Sequence, residues 1–281
     1  MLRDAELAEL ADRCSAAAGI DLRRLLTEAD DDELRLTDNA QPALLFVGVA
    51  LARLMERRGV RPKAAAGHSV GEYTALCVAG AIEPEDAVRT VVERGRAMAK
   101  AAPPGTSSML AVLGLGAEAV SQALREVDEV WPANFNTPTQ TVIGGTLAGL
   151  ERARGPLEEA GARRLVPISV AAAFHTPLME PAGALLRLSL DAAEWRSPAL
   201  PVVANLTGEP YHDAAAIPDS LERQLSSPVR WADCVRRLGE AGCETFYELG
   251  PKKALTGMMR ELAPGASSIG ISSPDAVERL E

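Results

Sequence analysis

The stretch "PKAAAGHSVGEYTALCVAGAI", residues 62–82, decides the fold. A run of small residues leads into Gly67-His68-Ser69-Val70-Gly71, and a helix-forming run follows. G-x-S-x-G between a strand and a helix is the nucleophile elbow, a sharp turn that lifts a serine hydroxyl clear of a sheet. It also aims the first N–H groups of the following helix at the reaction centre. Random placement of this composition would produce roughly 0.1 such patterns. The stretch therefore predicts an α/β protein with Ser69 as candidate nucleophile, and glycine demanded on both sides of the turn.

Working upstream, the first sixty residues read as helices. "DAELAELADRCSAAAG" has helical apolar spacing and a glycine stop at Gly19. "QPALLFVGVALARLMERRG" reads as a long, largely buried helix ending at Gly59. Downstream, "EPEDAVRTVVERGRAMAKAA" opens a further helix at Pro84.

The texture changes after "PPGTSS". "MLAVLGL", "GAEAVSQALREVDE", the hairpin "VWPANFNTPTQTVIGG", "TLAGLERARGPLEEAG" and "ARRLVPISV" follow in the order β-α-β-β-α-β. The expected organisation is a large α/β part over 1–103, a ferredoxin-like insert over 104–171, and the rest of the large part over 172–281. The tail "SSPDAVERLE" reads as a loosely held end.

A serine needs a base. The histidines are His68, His175 and His212. His68 adjoins Ser69, and the turn points neighbouring side chains apart. His212, in "GEPYHD", reads as an exposed turn. His175, in "AAAFHTPLM", reads as the end of a strand before a helix, where α/β enzymes place catalytic groups. Arg94 lies in a helix that is apolar on one side; if turned inward it must meet an anion, which would suit a carboxylate-bearing substrate.

Composition narrows the classes. The chain has 281 residues, a net charge of −10 and 47% hydrophobic residues. Such a charge argues against nucleic acid as the main partner. No run of about eighteen apolar residues suggests a membrane span. Cys14, Cys77, Cys234 and Cys243 are scattered, and a metal site is not expected. Reduced thiols in a cytoplasmic protein are the simplest reading.

Taken in order, "QPALL", "GHSVGEYTAL", "ERGRAM", "NFNTPTQTVIGG", "AAAFHTPLM", "PVVANLTG" and "YELGPKKALTG" resemble the malonyl-CoA:acyl carrier protein transacylases and the acyltransferase domains of polyketide synthases. The resemblance runs from about residue 10 to 262. It implies an α/β-hydrolase-like large domain with a parallel sheet and an inserted ferredoxin-like subdomain. It implies ping-pong transfer of malonyl from coenzyme A to the phosphopantetheine thiol of an acyl carrier protein, in fatty acid or polyketide synthesis, with no cofactor.

By position, Ser69 resembles the nucleophile, His175 the base and Val70 the donor of one oxyanion N–H. Arg94 matches the arginine that pairs with the malonyl carboxylate. Gln224 matches the residue whose backbone carbonyl orients the histidine. Gln41 and Asn205 match polar positions near the site. Phe174 resembles the malonyl-class residue that leaves little room for an α-methyl group.

Relatives open with an apolar strand ending in a Gly-Gln-Gly-Ser-Gln-like motif, which this sequence lacks. The expected consequence is loss of a central strand and a second oxyanion donor, by a misassigned start or truncation rather than replacement by a neighbouring chain. A thioester hydrolase and a catalytically weakened carrier-binding relative stand as the alternative readings.

Overall fold

The computed structural model describes residues 1–101, 103 and 105–280; the expected boundary at 103/104 touches Pro104, outside them. Four helices come first: α1 (Ala5–Ala18), α2 (Leu22–Thr27), α3 (Asp31–Arg35) and α4 (Thr37–Arg57). The Asp4 carboxylate accepts the Leu7 N–H to start α1, and Gly19 at φ 64° ends it. The run 62–82 then forms β1 (Ala65–Ala66), the Ser69 turn and α5 (Gly71–Val78), followed by α6 (Pro84–Ala101).

The next segment is β2 (Ser107–Leu113), α7 (Ala117–Ala123), β3 (Val130–Thr137), β4 (Gln140–Thr146), α8 (Leu147–Glu159) and β5 (Arg164–Ile168). Its four strands form one antiparallel sheet in the order β3-β4-β2-β5, the split βαβ arrangement. Leu110, Val112 and Ile143 on one face meet Leu150 and Leu157 of α8, a core separate from the main one. That separateness explains why the sequence texture changes here.

The chain returns through a 3-10 turn (Pro177–Met179) to α9 (Glu180–Ala192), β6 (Val202–Val203), α10 (Ala216–Gln224) and α11 (Trp231–Glu240). It closes with β7 (Thr245–Leu249), α12 (Ala254–Leu262), β8 (Ser267–Ile271) and α13 (Pro274–Glu278). The main core gathers Leu45 and Phe46 of α4, Tyr73 and Leu76 of α5, Val88 and Val91 of α6, Leu186 of α9 and Leu221 of α10.

Three details differ from the sequence reading. The parallel strands form two pairs, β1–β6 and β7–β8, rather than one continuous sheet. A cavity of about 970 Å3 lies between the pairs, walled by Ala65 and Ala66 of β1, Phe246 and Tyr247 of β7, Val49 of α4 and Val235 of α11. "AAAF" before His175 is loop, not strand, because its residues pair with no sheet neighbour. The tail is not loose: Val277 of α13 is buried with Leu51 and Met55 of α4, and Arg58 donates to the Glu278 carbonyl at 2.6 Å.

Candidate active site

The turn between β1 and α5 is tight on one side. A Cβ on Gly67 would sit 1.9 Å from the Gly71 carbonyl, so only glycine fits there. A Cβ on Gly71 would meet nothing within 4 Å, which corrects the expectation that both glycines are sterically required. Ser69 sits at φ 55°, a left-handed conformation costly for a non-glycine residue and held only by its surroundings.

Those surroundings are buried polar side chains. The Ser69 N–H donates to Asn205 Oδ1 at 2.7 Å, and Asn205 Nδ2 donates to the Gly67 carbonyl at 2.7 Å. Asn205 thus clamps both sides of the Ser69 turn from the turn that follows β6. Among the described residues the Val70 N–H, at the mouth of α5, has no hydrogen-bond partner, as an oxyanion donor requires.

His175 reaches Ser69 from the loop after β5. Its Nε2 lies 2.7 Å from Ser69 Oγ, and its Nδ1 lies 2.9 Å from the Gln224 carbonyl at the end of α10. The carbonyl can only accept, so Nδ1 carries the proton and Nε2 is free to take one from the serine. His175 is also left-handed, at φ 60°. Its loop is pinned by the Ala173 N–H on Ser107 Oγ and by Thr176 Oγ1 on the Ala173 carbonyl. Burial, and next the nearby Arg94 charge, depress His175 from 6.5 to about 3.

The other two histidines sit elsewhere. His68 Nε2 lies 3.1 Å from Asn136 Oδ1, and its ring tilts against Trp231. His212 is exposed.

Arg94 points inward from α6 and is 1% exposed. Its donors go to neutral acceptors: Nη1 to Gln41 Oε1, and Nη2 to Ser69 Oγ at 3.0 Å and Gln224 Oε1 at 3.1 Å. Its Nε has no partner among the described residues. A buried guanidinium held this way, beside a serine hydroxyl, has the chemistry to receive an incoming anion. Gln41 is itself fixed by Thr37 Oγ1 at 2.8 Å and the Met98 sulfur at 3.4 Å. Phe174 is half-buried and packs between the main core and the Met109–Ala133–Val142 cluster.

The structure therefore gathers Ser69, Val70, His175, Arg94, Gln41, Asn205 and Gln224 around one point, with Phe174 next in chain to the histidine. Sequence reading passed over Glu72, although it lies in the opening motif. Glu72 is fully buried and accepts from the Asn205 N–H at 3.0 Å, Gln224 Nε2 at 2.7 Å and the Tyr211 hydroxyl. A charged residue on the second position of an apolar helix was the available signal.

The acyl transferase domain family matches residues 3–269. This chain belongs to that family.

Among acyl transferases it is 41% identical to the malonyl CoA-acyl carrier protein transacylase of Bacillus subtilis over 261 residues, 92% of this chain and 82% of the relative. The structure of an acyl carrier protein S-malonyltransferase from Vibrio cholerae superposes with a TM-score of 0.93 at 36% identity, covering 98% of this chain and 91% of that one. A malonyl-transacylase solved in complex with a type II PKS acyl-carrier protein gives 0.92 at 36% identity, covering 99% and 93%. The α/β architecture with its antiparallel insert is thus the acyl transferase fold.

Proposed function

We propose that this chain transfers malonyl from malonyl-CoA to the phosphopantetheine thiol of an acyl carrier protein, through an ester on Ser69. The observation that carries the reading is the placement of Ser69 Oγ between His175 Nε2 and Arg94 Nη2, with Arg94 bound only to neutral groups. A hydrolase of neutral acyl chains has no use for such a cation. A malonyl thioester brings the carboxylate it needs.

In the first half-reaction Ser69 Oγ gives its proton to His175 Nε2 and attacks the thioester carbonyl. The carbonyl oxygen becomes an oxyanion facing the Val70 N–H. The carbon–sulfur bond then breaks, and the coenzyme A sulfur takes the proton from His175. In the second half-reaction His175 takes the proton of the carrier thiol, the thiolate attacks the malonyl ester, and the proton returns to Ser69 Oγ.

Arg94 holds the malonyl carboxylate throughout. That contact also offsets the repulsion Arg94 exerts on a protonated His175, so the base strengthens when the correct substrate is bound. Residues of the chain supply nucleophile, base and anion receptor, so the proposed reaction calls for no cofactor. Phe174 would restrict space for an α-methyl substituent, a preference of about 1–3 kcal/mol per methylene-sized group. Among the described residues no helix is long and apolar enough to cross a membrane, and a cytoplasmic setting is proposed with the function.

Intact-protein mass spectrometry after brief exposure to malonyl-CoA tests the reading. The parent chain should gain one malonyl group and Ser69→Ala none. Labelling retained in Ser69→Ala places the nucleophile elsewhere; no gain in a folded parent overturns the activity.

A further inference from the structure

We infer that Glu72 is a positioning residue for the transfer, the acceptor that fixes which way the Gln224 side chain faces and so keeps both Arg94 and the Ser69 turn in register. The inference rests on the reading of Ser69, His175 and Arg94 given above and goes beyond it.

A carboxyl oxygen facing two N–H groups can only accept from them. Glu72 Oε2 receives the Asn205 N–H at 3.0 Å and Gln224 Nε2 at 2.7 Å, and Oε1 faces the Tyr211 hydroxyl. With Nε2 committed to Glu72, and also donating to the Ser69 carbonyl at 3.2 Å, Gln224 must turn Oε1 toward Arg94, which donates to it at 3.1 Å. The opposite flip would set an NH2 against a guanidinium and an oxygen against a carboxylate. Gln224 therefore carries three jobs. Its amide NH2 steadies the turn, its amide oxygen braces Arg94, and its backbone carbonyl orients His175 at 2.9 Å.

Glu72 holds the second clamp too, since the backbone of Asn205 binds Glu72 while its side chain grips Ser69 and Gly67. A small shift here reaches nucleophile, base and anion receptor together. Burying a carboxyl is costly, and burial pushes Glu72 above its usual range. Three donors and the Arg94 charge work in the other direction.

The test uses the full chain with Glu72→Asp, Glu72→Gln and Gln224→Ala. The last keeps the backbone carbonyl on His175 and deletes only the amide. Glu72→Asp keeps the charge but withdraws the oxygens by one methylene; Ser69 malonylation should slow by about 10²-fold, as an ångström-scale misplacement does. Because Arg94 is also released, malonyl loading should fall further than acetyl loading.

Glu72→Gln should stay within about fivefold of the parent, because its amide oxygen can accept both N–H groups. Its NH2 can donate to Tyr211, whose hydroxyl then turns to Ser220 Oγ, 3.1 Å away. In the Gln224→Ala background Glu72→Asp should cost clearly less than in the parent, about tenfold or less, the remainder passing through the Asn205 clamp. Effects that multiply, a Glu72→Asp chain as fast as the parent, or a Glu72→Gln chain as slow as Glu72→Asp each overturn the inference.

An activity-free measurement stands beside these. The Gln224 side-chain NH2, assigned by its loss in Gln224→Ala, should exchange slowly with solvent in the parent and faster in Glu72→Asp. Fast exchange in the parent overturns the inference whatever the variants do. If the parent takes no malonyl, the reading of the site fails, and the exchange result still decides the role of Glu72.

Discussion

The two residues assigned the chemistry in the proposed reaction sit in strained backbone: Ser69 at φ 55° and His175 at φ 60°. Each is a left-handed residue that a neighbouring polar group holds in place, Asn205 for the serine and the Gln224 carbonyl for the histidine. Strain of this kind costs about 1–3 kcal/mol per residue, and the polar groups that impose it also hold the 2.7 Å Ser69–His175 contact in place before substrate arrives. Replacing Arg94 with alanine should lower malonyl loading by about 10²-fold more than acetyl loading, since a site built around a charged partner rejects the analogue without it. Equal losses, read as kcat/KM for the two thioesters, would remove the carboxylate-pairing role. The pH profile follows from His175. A base depressed to about 3 stays neutral across the working range. The acid limb of kcat/KM should therefore fall well below pH 6.5, and a limb near 6.5 would place another group in the step.

At the scale of elements, the junction of β1 and α5 depends on one close approach. Gly67→Ala would force the turn open against the Gly71 backbone and should abolish labelling of Ser69. Gly71→Ala meets open space and should keep more than about a tenth of the rate, helped by alanine's better helix propensity. The pair, compared by labelling rate and circular dichroism, separates packing from motif. The 62–82 run was legible because its punctuation is local: small residues, a glycine turn, then helix formers. The antiparallel insert was legible for the same reason, with hairpin and helices in sequence order. The loop before His175 was misread as a strand because "AAAF" is apolar. It is apolar because Ala172 and Ala173 are buried, not because they pair.

At the scale of the molecule, burial of His175 links the site to stability. Unfolded, the imidazole titrates near 6.5; folded, only near 3. Below 6.5 the unfolded chain therefore takes up a proton that the folded chain refuses. Stability contributed by the neutral ring is fully present above 6.5 and falls as pH drops toward 3, by at most about 1.4 kcal/mol per pH unit for one group. Burial depresses His68 as well, in the same direction. Urea midpoints should decline over that window, and less steeply in His175→Asn, a residue that tolerates φ near 60°. An unchanged slope would assign the decline to other groups. What the sequence determined by itself was the turn around Ser69, the helices beside it, the order of the inserted elements and the candidates Ser69, His175 and Arg94, because these rest on local spacing and chemistry; Gln41, Asn205 and Gln224 entered only through the family resemblance. Only the tertiary structure decided that β1–β6 and β7–β8 stand apart across a cavity, that the last helix packs on α4, and that Glu72 joins the site. Those outcomes depend on which distant surfaces meet. Glu72 and Gln224 are 152 residues apart in sequence, and nothing local signals their 2.7 Å hydrogen bond.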